Sequence, residues 1–292
     1  ADLIVAGGVE SMTRSPFVMA KPDSAFSRTP EIYDTTIGWR FVNPKMQKEF
    51  GVDSMPETAV NVATDYQINR ADQDAFAQRS QARYGAARDR GFFAGEIAPI
   101  TIKDRKGDIV VDKDEHPRPD TSLEALSGLK PIVRADGTVT AGNASGVNDG
   151  AVALLLASEE MVRKFGLEPL ARIEAGAAGG VAPRVMGVGP VPAVEKLCAR
   201  LGVNPRDFDV VELNEAFAAQ GLACTRAWGL ADDAEHVNPH GGAIAIGHPL
   251  GASGARLALT AARALKERGG ERALATMCVG VGQGSAMALA KA

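Results

Sequence analysis

Residues 209–228, DVVELNEAFAAQGLACTRAW, place a short apolar run directly before an amphipathic segment. The run over 209–213 predicts a buried strand, and residues 215–228 predict a helix that stops before Gly229. Strands and helices alternate on both sides of this pair, which favours an α/β layered fold over separate α and β halves. Further strands are predicted near 170–177, 272–279 and 285–290, and further helices over 192–201 and 253–268.

The chain before residue 138 has a different texture. Its opening ADLIVAGG predicts a buried strand, whereas residues 11–56 contain five prolines and are typical of a functional insertion. Helices are predicted over about 57–68 and about 70–90, the second with Asn69 as its N-cap. A β-hairpin is predicted from the apolar triplets Ile100–Ile102 and Ile109–Val111. Beyond these, residues 151–157 predict a strand and the next residues a helix that ends at Gly166; Gly202, Gly229 and Gly269 are predicted C-caps.

Composition excludes several classes of protein. The 292 residues contain 36 acidic and 32 basic side chains, a net charge of −4, which argues against a nucleic-acid partner. No run of eighteen apolar residues occurs, so we expect no membrane span. The three cysteines form no CxxC pair, which excludes a disulfide framework or zinc site and favours a reducing, cytoplasmic compartment; Cys198 and Cys224 are predicted to be core residues.

Two loops follow predicted strands, where α/β folds place functional side chains. Asn214 and Glu215 follow the strand 209–213. Asn214 could equally be the N-cap of the next helix, and the negative charge of Glu215 could stabilise the first turn of that helix. Residues 238–256, NPHGGAIAIGHPLGASGAR, hold His248 in a glycine-rich loop before a helix expected to begin near Ser253. The free N–H groups of that helix could face a ligand, and an imidazole suits proton transfer near neutral pH. The alternative is a glycine-rich turn carrying a surface histidine.

A third loop, residues 277–285, reads MCVGVGQGS and places Cys278 at the end of an apolar strand. A lone cysteine is usually a buried structural residue. A thiol beside free backbone N–H groups can also form a reactive or oxyanion site. A dinucleotide fingerprint does not fit, because the spacing is G-x-G-x-G and a strand follows it. His116 and His236 belong to no such pattern and are expected at the surface.

Taken in order, NEAF at 214–217, GGAIAIGHPLGASGAR at 241–256 and Cys-x-Gly at 278–280 resemble the thiolase family of acyl-CoA acetyltransferases. The resemblance implies two repeated α/β halves in an αβαβα layered fold, with a loop domain inserted in the first half. Residues 1–13 and 138–165 would then be an incomplete N-terminal half, 14–137 the inserted domain for coenzyme A binding and oligomer contacts, and 166–292 the C-terminal half. Four further stretches look like family blocks, namely 5–12, 72–81, 142–151 and 185–190.

The resemblance also implies a role for particular residues. His248 would activate an acyl-accepting cysteine, and Asn214 would position a water that forms an oxyanion hole with His248. Cys278 would move the α-proton as acid and base, and the amide of Gly280 would contribute to a second oxyanion hole. Coenzyme A contacts would come from Ser145, Met55 and Arg118, and the acyl pocket from Met186 and Phe217. The family implies no metal or bound cofactor, acyl-CoA as the substrate, and a homodimer or homotetramer.

One departure dominates the comparison with the family. The nucleophilic cysteine of thiolases lies in an upstream motif resembling C-G-S-G, which these residues do not contain, and neither Cys198 nor Cys224 matches it. We therefore expect about a quarter of a thiolase to precede residue 1. We expect no thiolase activity from this chain alone, and unpaired strand edges with exposed apolar surface in its first half. The alternative is a noncatalytic fragment that binds coenzyme A or partner subunits.

The substrate is indicated by residues 34–46 and 50–59, which resemble the branch of the family that acts on 3-oxoadipyl-CoA in aromatic-compound degradation. That reaction releases succinyl-CoA and acetyl-CoA; an acetoacetyl-CoA or general 3-ketoacyl-CoA thiolase is the alternative. A dicarboxylic acyl chain needs a cation at its distal end, and Arg40 or Lys45 could supply it. His240 is a smaller departure from the family pattern.

Overall fold

The computed structural model describes all 292 residues, and the first half of the chain folds into five strands and four helices. Its elements are β1 (Leu3–Glu10), β2 (Phe17–Met19), β3 (Ile32–Asp34), α1 (Pro44–Phe50), α2 (Met55–Asp65), α3 (Arg70–Asp89), β4 (Ile100–Ile102), β5 (Ile109–Val111) and α4 (Leu123–Ser127). The β4–β5 hairpin and the Asn69 cap of α3 are as predicted. Helix α2 begins two residues before its predicted start, because Ser54 and Glu57 form a capping box there.

Strands and helices alternate through the rest of the chain. They are β6 (Gly150–Ala157), α5 (Glu159–Phe165), β7 (Arg172–Gly180), α6 (Pro190–Leu201), β8 (Val210–Leu213), α7 (Ala218–Ala227), α8 (Ala243–Ile246), α9 (Leu250–Arg268), β9 (Arg272–Val279) and β10 (Gln283–Ala290). Gly166, Gly202 and Gly269 end α5, α6 and α9 in the left-handed conformation, as predicted. None of the helices combines the length and the apolarity that crossing a bilayer requires.

One helix, α9, lies between two sheets. The larger sheet has the strand order β7-β10-β9-β8, with β8 and β9 parallel and the other pairs antiparallel. Helix α6 covers one face, where Leu197 packs with Val211, and α9 covers the other, where Leu257 packs with Val210. The opposite side of α9 contacts β1 and β6. This stack of sheet, helix, sheet and helix is the layered α/β arrangement expected from the sequence.

The smaller sheet consists of β1 and β6, paired antiparallel from Leu3 opposite Ala157 to Glu10 opposite Gly150. One face lies against α9, where Gly8 comes so close to Gly251 that a Cβ atom could not fit. The other face is open, and Val5 and Val9 are 74% and 70% exposed. The prediction that the first strand, β1, is buried is therefore wrong for this face. Exposed apolar surface in the first half of the chain is what we expected.

Candidate active site

The site begins where β8 ends. The backbone N–H of Asn214 donates to the carbonyl of Thr276 on β9 at 2.9 Å, so the sheet pairing continues through this residue. Helix α7 begins only at Ala218, with Phe217 at its N-cap position. The predicted helix start at 215 and the N-cap interpretation of Asn214 are therefore wrong. The Asn214 side chain is instead fully buried at the end of the strand.

His248 meets this amide across the gap between β8 and α9. Its Nε2 lies 3.3 Å from Nδ2 of Asn214, and its Nδ1 lies 2.6 Å from Oγ of Ser253. The Ser253 hydroxyl donates to the carbonyl of Pro249 at 3.0 Å, so its oxygen accepts the proton of Nδ1. Nε2 is consequently the nitrogen that carries the lone pair. His248 is 9% exposed, which overturns the surface-histidine alternative.

Burial decides the charge of His248. Loss of hydration lowers the pKa of His248 to about 4, and the positive charge of Arg256 acts in the same direction. The ring is therefore neutral at physiological pH. A neutral imidazole with a free Nε2 lone pair is the form that can accept a proton from a thiol.

Cys278 ends β9 within a small apolar cluster. It is 3% exposed and packs with Met186 and Ala216, against which Met55 and Phe217 also pack. Burial raises the pKa of Cys278 to about 12, so the thiol is protonated at neutral pH and can act as an acid. The fold thus brings together four residues that the sequence analysis assigned to the site from distant parts of the chain.

The turn after Cys278 borders an open cavity of about 410 Å³. Gly280 lines it together with Met55 and Arg40. The backbone N–H of Gly280 donates to no acceptor in the protein, so it is available to an oxyanion. Of the two cations considered for the acyl chain, Arg40 is on the cavity wall, whereas Lys45 is an exposed residue of α1 outside it.

The remaining predicted contacts lie around the NEAF loop. The N–H of Ser145 donates to the carbonyl of Ala216 at 3.0 Å, which fixes Ser145 beside that loop. Arg118 has an exposed side chain, and its backbone N–H donates to Gln81 of α3 at 2.8 Å. His116 lies against Gly146, the residue after Ser145.

Two of the other three histidines depart from the sequence expectation, and the third, His240, is fully buried. His116 and His236 are half-buried rather than at the surface, and burial lowers the pKa of each. His240 is 1% exposed, stacks on Phe92, and places Nε2 at 2.6 Å from the carboxylate of Glu267.

Sequence reasoning missed the residues that hold the glycine-rich loop. Glu215 is buried and accepts hydrogen bonds from Ser80 of α3 at 2.6 Å, from Asn238 at 2.7 Å and from the N–H of Ile244 at 3.1 Å. Gln81, also on α3, donates to the carbonyl of Ile244 at 3.1 Å. Glu215 therefore ties strand, loop and α3 together and does not lie in the first turn of α7, which begins at Ala218. A single sequence carries no signal for this, because the partners are far apart in the chain.

Two further contacts set the entry to α9. The N–H of His248 donates to Oδ1 of Asn148 at 3.1 Å, and the N–H of Gly251 donates to Glu10 at 3.1 Å. Since α9 begins at Leu250 and not near Ser253, its first turn supplies Ser253 to His248. One of the helix N–H groups that were expected to face a ligand, that of Gly251, is instead bonded to Glu10.

A neutral imidazole, a buried amide, a protonated thiol and a free backbone N–H at the strand ends define an acyl-transfer enzyme of the α/β class. Models of the thiolase N-terminal domain and the thiolase C-terminal domain match residues 1–160 and 167–291. The chain belongs to the thiolase family of acyltransferases. No cluster of three or more His, Cys, Asp or Glu side chains able to hold a metal ion occurs in the 292 residues.

Individual relatives agree with the family models. The chain is 66% identical to a beta-ketoadipyl-CoA thiolase of Pseudomonas aeruginosa, over 99% of this chain and 72% of the relative. It is 61% identical to the 3-oxoadipyl-CoA/3-oxo-5,6-dehydrosuberyl-CoA thiolase of Escherichia coli, with the same coverage. The crystal structure of human mitochondrial 3-ketoacyl-CoA thiolase in complex with CoA superposes with a TM-score of 0.90 at 40% identity, over 100% of this chain and 71% of that one.

Proposed function

We propose that this chain carries the proton-transfer and oxyanion-binding residues of a thiolase that cleaves 3-oxoadipyl-CoA into succinyl-CoA and acetyl-CoA. The observation that carries the proposal is the contact between Asn214 and the neutral, correctly protonated ring of His248, beside the Cys278 cluster. The high identity to relatives named for this substrate supports the choice of acyl chain.

Each group has a defined step in this chemistry. Nε2 of His248 takes the proton of the acyl-accepting thiol, which then attacks the 3-oxo carbon. Asn214, through a water, and His248 stabilise the oxyanion that forms there. When the carbon–carbon bond breaks, its electron pair moves to the acetyl-CoA carbon, which receives the proton of Cys278, while Gly280 stabilises the enolate oxygen. The thiol of a second coenzyme A gives its proton to the Cys278 thiolate and its sulfur attacks the acyl carbon. The new thioester forms as the bond to the acyl-accepting sulfur breaks, and that sulfur takes back its proton from His248.

The substrate is held by residues around these groups. Ser145, Met55 and Arg118 contact coenzyme A, and Met186 and Phe217 border the acyl chain beside Cys278. Met55 supports this arrangement, because it belongs both to the Cys278 cluster and to the wall of the cavity that contains Gly280.

Arg40 is the residue we assign to the distal carboxylate. It lies on the same cavity wall as Met55 and Gly280, and its guanidinium donates to the carbonyl of Gly38 at 2.9 Å, which orients it. A guanidinium binds a carboxylate through paired charged hydrogen bonds. The dicarboxylic substrate is thereby favoured over acetoacetyl-CoA, which has no second carboxylate to bind.

Calorimetry with the 292-residue chain tests this assignment. We expect Arg40→Ala to weaken succinyl-CoA binding by about tenfold and to leave acetyl-CoA binding unchanged, since one charged hydrogen-bonded contact is lost. Lys45→Ala is the matched control and keeps both affinities. Equal losses for both esters in Arg40→Ala, or a selective loss in Lys45→Ala, would remove the assignment.

The chain by itself is expected to bind coenzyme A esters without turning them over. Cys198 and Cys224 are buried in the core that α6 and the larger sheet form, so neither can accept the acyl group at His248. Thiolysis of a 3-oxoacyl-CoA by the purified chain would contradict this expectation. The assay measures the loss of the substrate's enolate absorbance.

The division into two thiolase halves and an inserted loop domain over residues 14–137 belongs to the same proposal, as does a homodimer or homotetramer. Three free cysteines fit the reducing conditions of a cytoplasm.

A further inference from the structure

Asn148 lies in the loop before β6, three residues after Ser145, and this loop is anchored on both sides of it. On one side, the N–H of Ser145 donates to the carbonyl of Ala216 at 3.0 Å. On the other side, the carboxylate of Asp149 accepts the N–H of Thr13 at 2.9 Å and its hydroxyl at 2.6 Å. The backbone position of Asn148 is therefore set by two separate parts of the fold.

The side chain of Asn148 packs directly on the peptide that joins Gly247 to His248. Its Oδ1 accepts the N–H of His248 at 3.1 Å. Gly247 has φ +103°, and a Cβ atom on it would lie only 2.4 Å from the same Oδ1. The amide of Asn148 can approach this peptide only because residue 247 has no side chain, so glycine is required there for conformation and for contact.

A second contact from the same loop reaches the next residue of the glycine-rich loop. A Cβ atom on Gly150 would lie 2.6 Å from Cγ of Pro249, so the proline ring fills the space beside this glycine. Proline also restricts the backbone of the residue before it, which is His248. The backbone of His248 is thus held on one side by Asn148 and on the other by the packed ring of Pro249.

The position of this backbone decides where the ring of His248 points. Ser253 binds Nδ1 and fixes which nitrogen carries the proton, but one hydrogen bond at one end of a ring does not fix its other end. Nε2 lies 3.3 Å from Nδ2 of Asn214, which is already long for a hydrogen bond and leaves little margin for displacement. Reactive groups need to be held within about 0.5 Å by the residues around them.

We propose that Asn148 is a positioning residue for acyl transfer, whose side-chain amide holds the Gly247–His248 peptide so that Nε2 of His248 faces Asn214. The ring is then held at three points, namely its backbone N–H by Asn148, Nδ1 by Ser253, and Nε2 opposite Asn214. Asn148 acts through the backbone of His248 and touches neither ring nitrogen. This inference rests on the proposed role of His248 as the base.

Proton–nitrogen NMR of the 292-residue chain, labelled with ¹⁵N in histidine only, tests it at the backbone amide and the ring of His248. Because the chain has only four histidines, His248→Asn identifies both signals. In Asn148→Ala we expect the His248 amide to exchange with solvent about tenfold faster, since one hydrogen bond is lost. We also expect the Nε2 signal to move towards that of a ring nitrogen without a partner, while Nδ1 keeps its proton.

Two further variants separate positioning from a general effect on the loop. Asn148→Asp keeps an acceptor oxygen at the same reach and should restore both the amide protection and the Nε2 signal. Val147→Ala is the matched control, because Val147 is the preceding residue and its side chain is 52% exposed. It should change neither signal. An unchanged Nε2 signal in Asn148→Ala, or an equal displacement in Val147→Ala, would overturn the inference, since a merely structural Asn148 would leave the ring in place.

The unmodified chain decides the matter if Asn148→Ala does not fold. A His248 amide that is protected from exchange there and in Asn148→Asp supports the inference, whereas exchange at the rate of an unprotected amide in the unmodified chain overturns it. Neither measurement needs turnover, so its failure leaves the proposed thiolase function to be judged separately by ester binding.

Discussion

At the scale of single residues, Ser253 determines which nitrogen of His248 is the base. Ser253→Ala removes the acceptor of the Nδ1 proton, and we expect the two ring nitrogens to share the proton and their ¹⁵N shifts to converge. The lost hydrogen bond should lower the free energy of unfolding by about 1 kcal/mol. Thr260→Val removes a hydroxyl from the same helix and should leave the His248 spectrum unchanged. Unaltered nitrogen shifts in Ser253→Ala would contradict this account.

Glu96 makes the stability of the folded protein fall as the pH rises. Burial raises its pKa to about 7 in the folded protein, from an ordinary value of 4.5. The folded state therefore binds more protons than the unfolded state between these values, and stability is lost as the pH rises from 4.5 to 7. Its side chain is 8% exposed, and the loss should be about 3 kcal/mol. Glu96→Gln should lack this dependence in urea unfolding.

Glu174→Gln is the control for that experiment, because Glu174 makes the free energy of unfolding depend on pH in the opposite direction. Hydrogen bonds from Arg272 lower the pKa of Glu174, so its contribution is present above the ordinary carboxyl pKa and is lost as the pH falls below it. A Glu96→Gln curve parallel to that of the unmodified protein between pH 5 and 8 would show that Glu96 is not the cause.

At the scale of elements, the β9–β10 turn combines three residues with different backbone demands. Val281 has φ +66°, which is strained for a β-branched residue, and Gly282 has φ +88° with Val181 too close for a Cβ atom. Val281→Gly should raise the free energy of unfolding by about 1 kcal/mol. Gly282→Ala should lower it by about 2 kcal/mol.

Gly280 supplies the control within the same turn. It has no positive φ and open space where a Cβ would lie, so Gly280→Ala should change the free energy of unfolding by less than about 0.5 kcal/mol. Urea unfolding of the three variants shows whether backbone strain at particular positions, or any substitution in the turn, changes the free energy of unfolding. Equal losses in all three would show that the turn tolerates no substitution and that backbone strain is not the determinant.

The same scale shows what the sequence could and could not predict. The alternation after residue 150 was predictable where local signals are strong: β6 is a continuous apolar run, and α5 begins after the N-cap Ser158 and ends at Gly166. The start of α7 was not, since Asn214 is a good N-cap residue whose backbone is held by Thr276 of another strand. Tertiary pairing overrode a local preference there.

The candidate site divides in the same way. Motif spacing alone, through the family resemblance, located His248, Cys278 and Asn214. The contact that sets the tautomer of His248 comes from Ser253, and the burial that sets its charge comes from the packing of α9 against β8. Motif spacing along a chain identifies reactive groups more readily than it identifies the residues that set their protonation state.

At the scale of the whole molecule, the open face of β1 and β6 predicts self-association. Val5 and Val9 project from it and are more than two-thirds exposed. Val5→Lys combined with Val9→Lys should shift the mass measured by light scattering towards the monomer, because charges on an exposed strand face oppose pairing. Phe26→Lys, at a residue 96% exposed elsewhere, should not. Dissociation by Phe26→Lys alone would place the contact outside this sheet.

The hydrogen bonds between α3 and the glycine-rich loop affect the order in which parts of the protein unfold locally. Ser80 and Gln81 hold Gly242 and Ile244 directly. The larger sheet reaches residues 242–246 through Glu215, and it reaches the rest of the loop through Asn238 and the Asn214–His248 contact. In native-state hydrogen exchange, the amides of 242–246 should therefore lose protection together with α3 and before those of β8 and β9. The loop that holds His248 would then detach together with α3, while the strands that carry Asn214 and Cys278 are still folded.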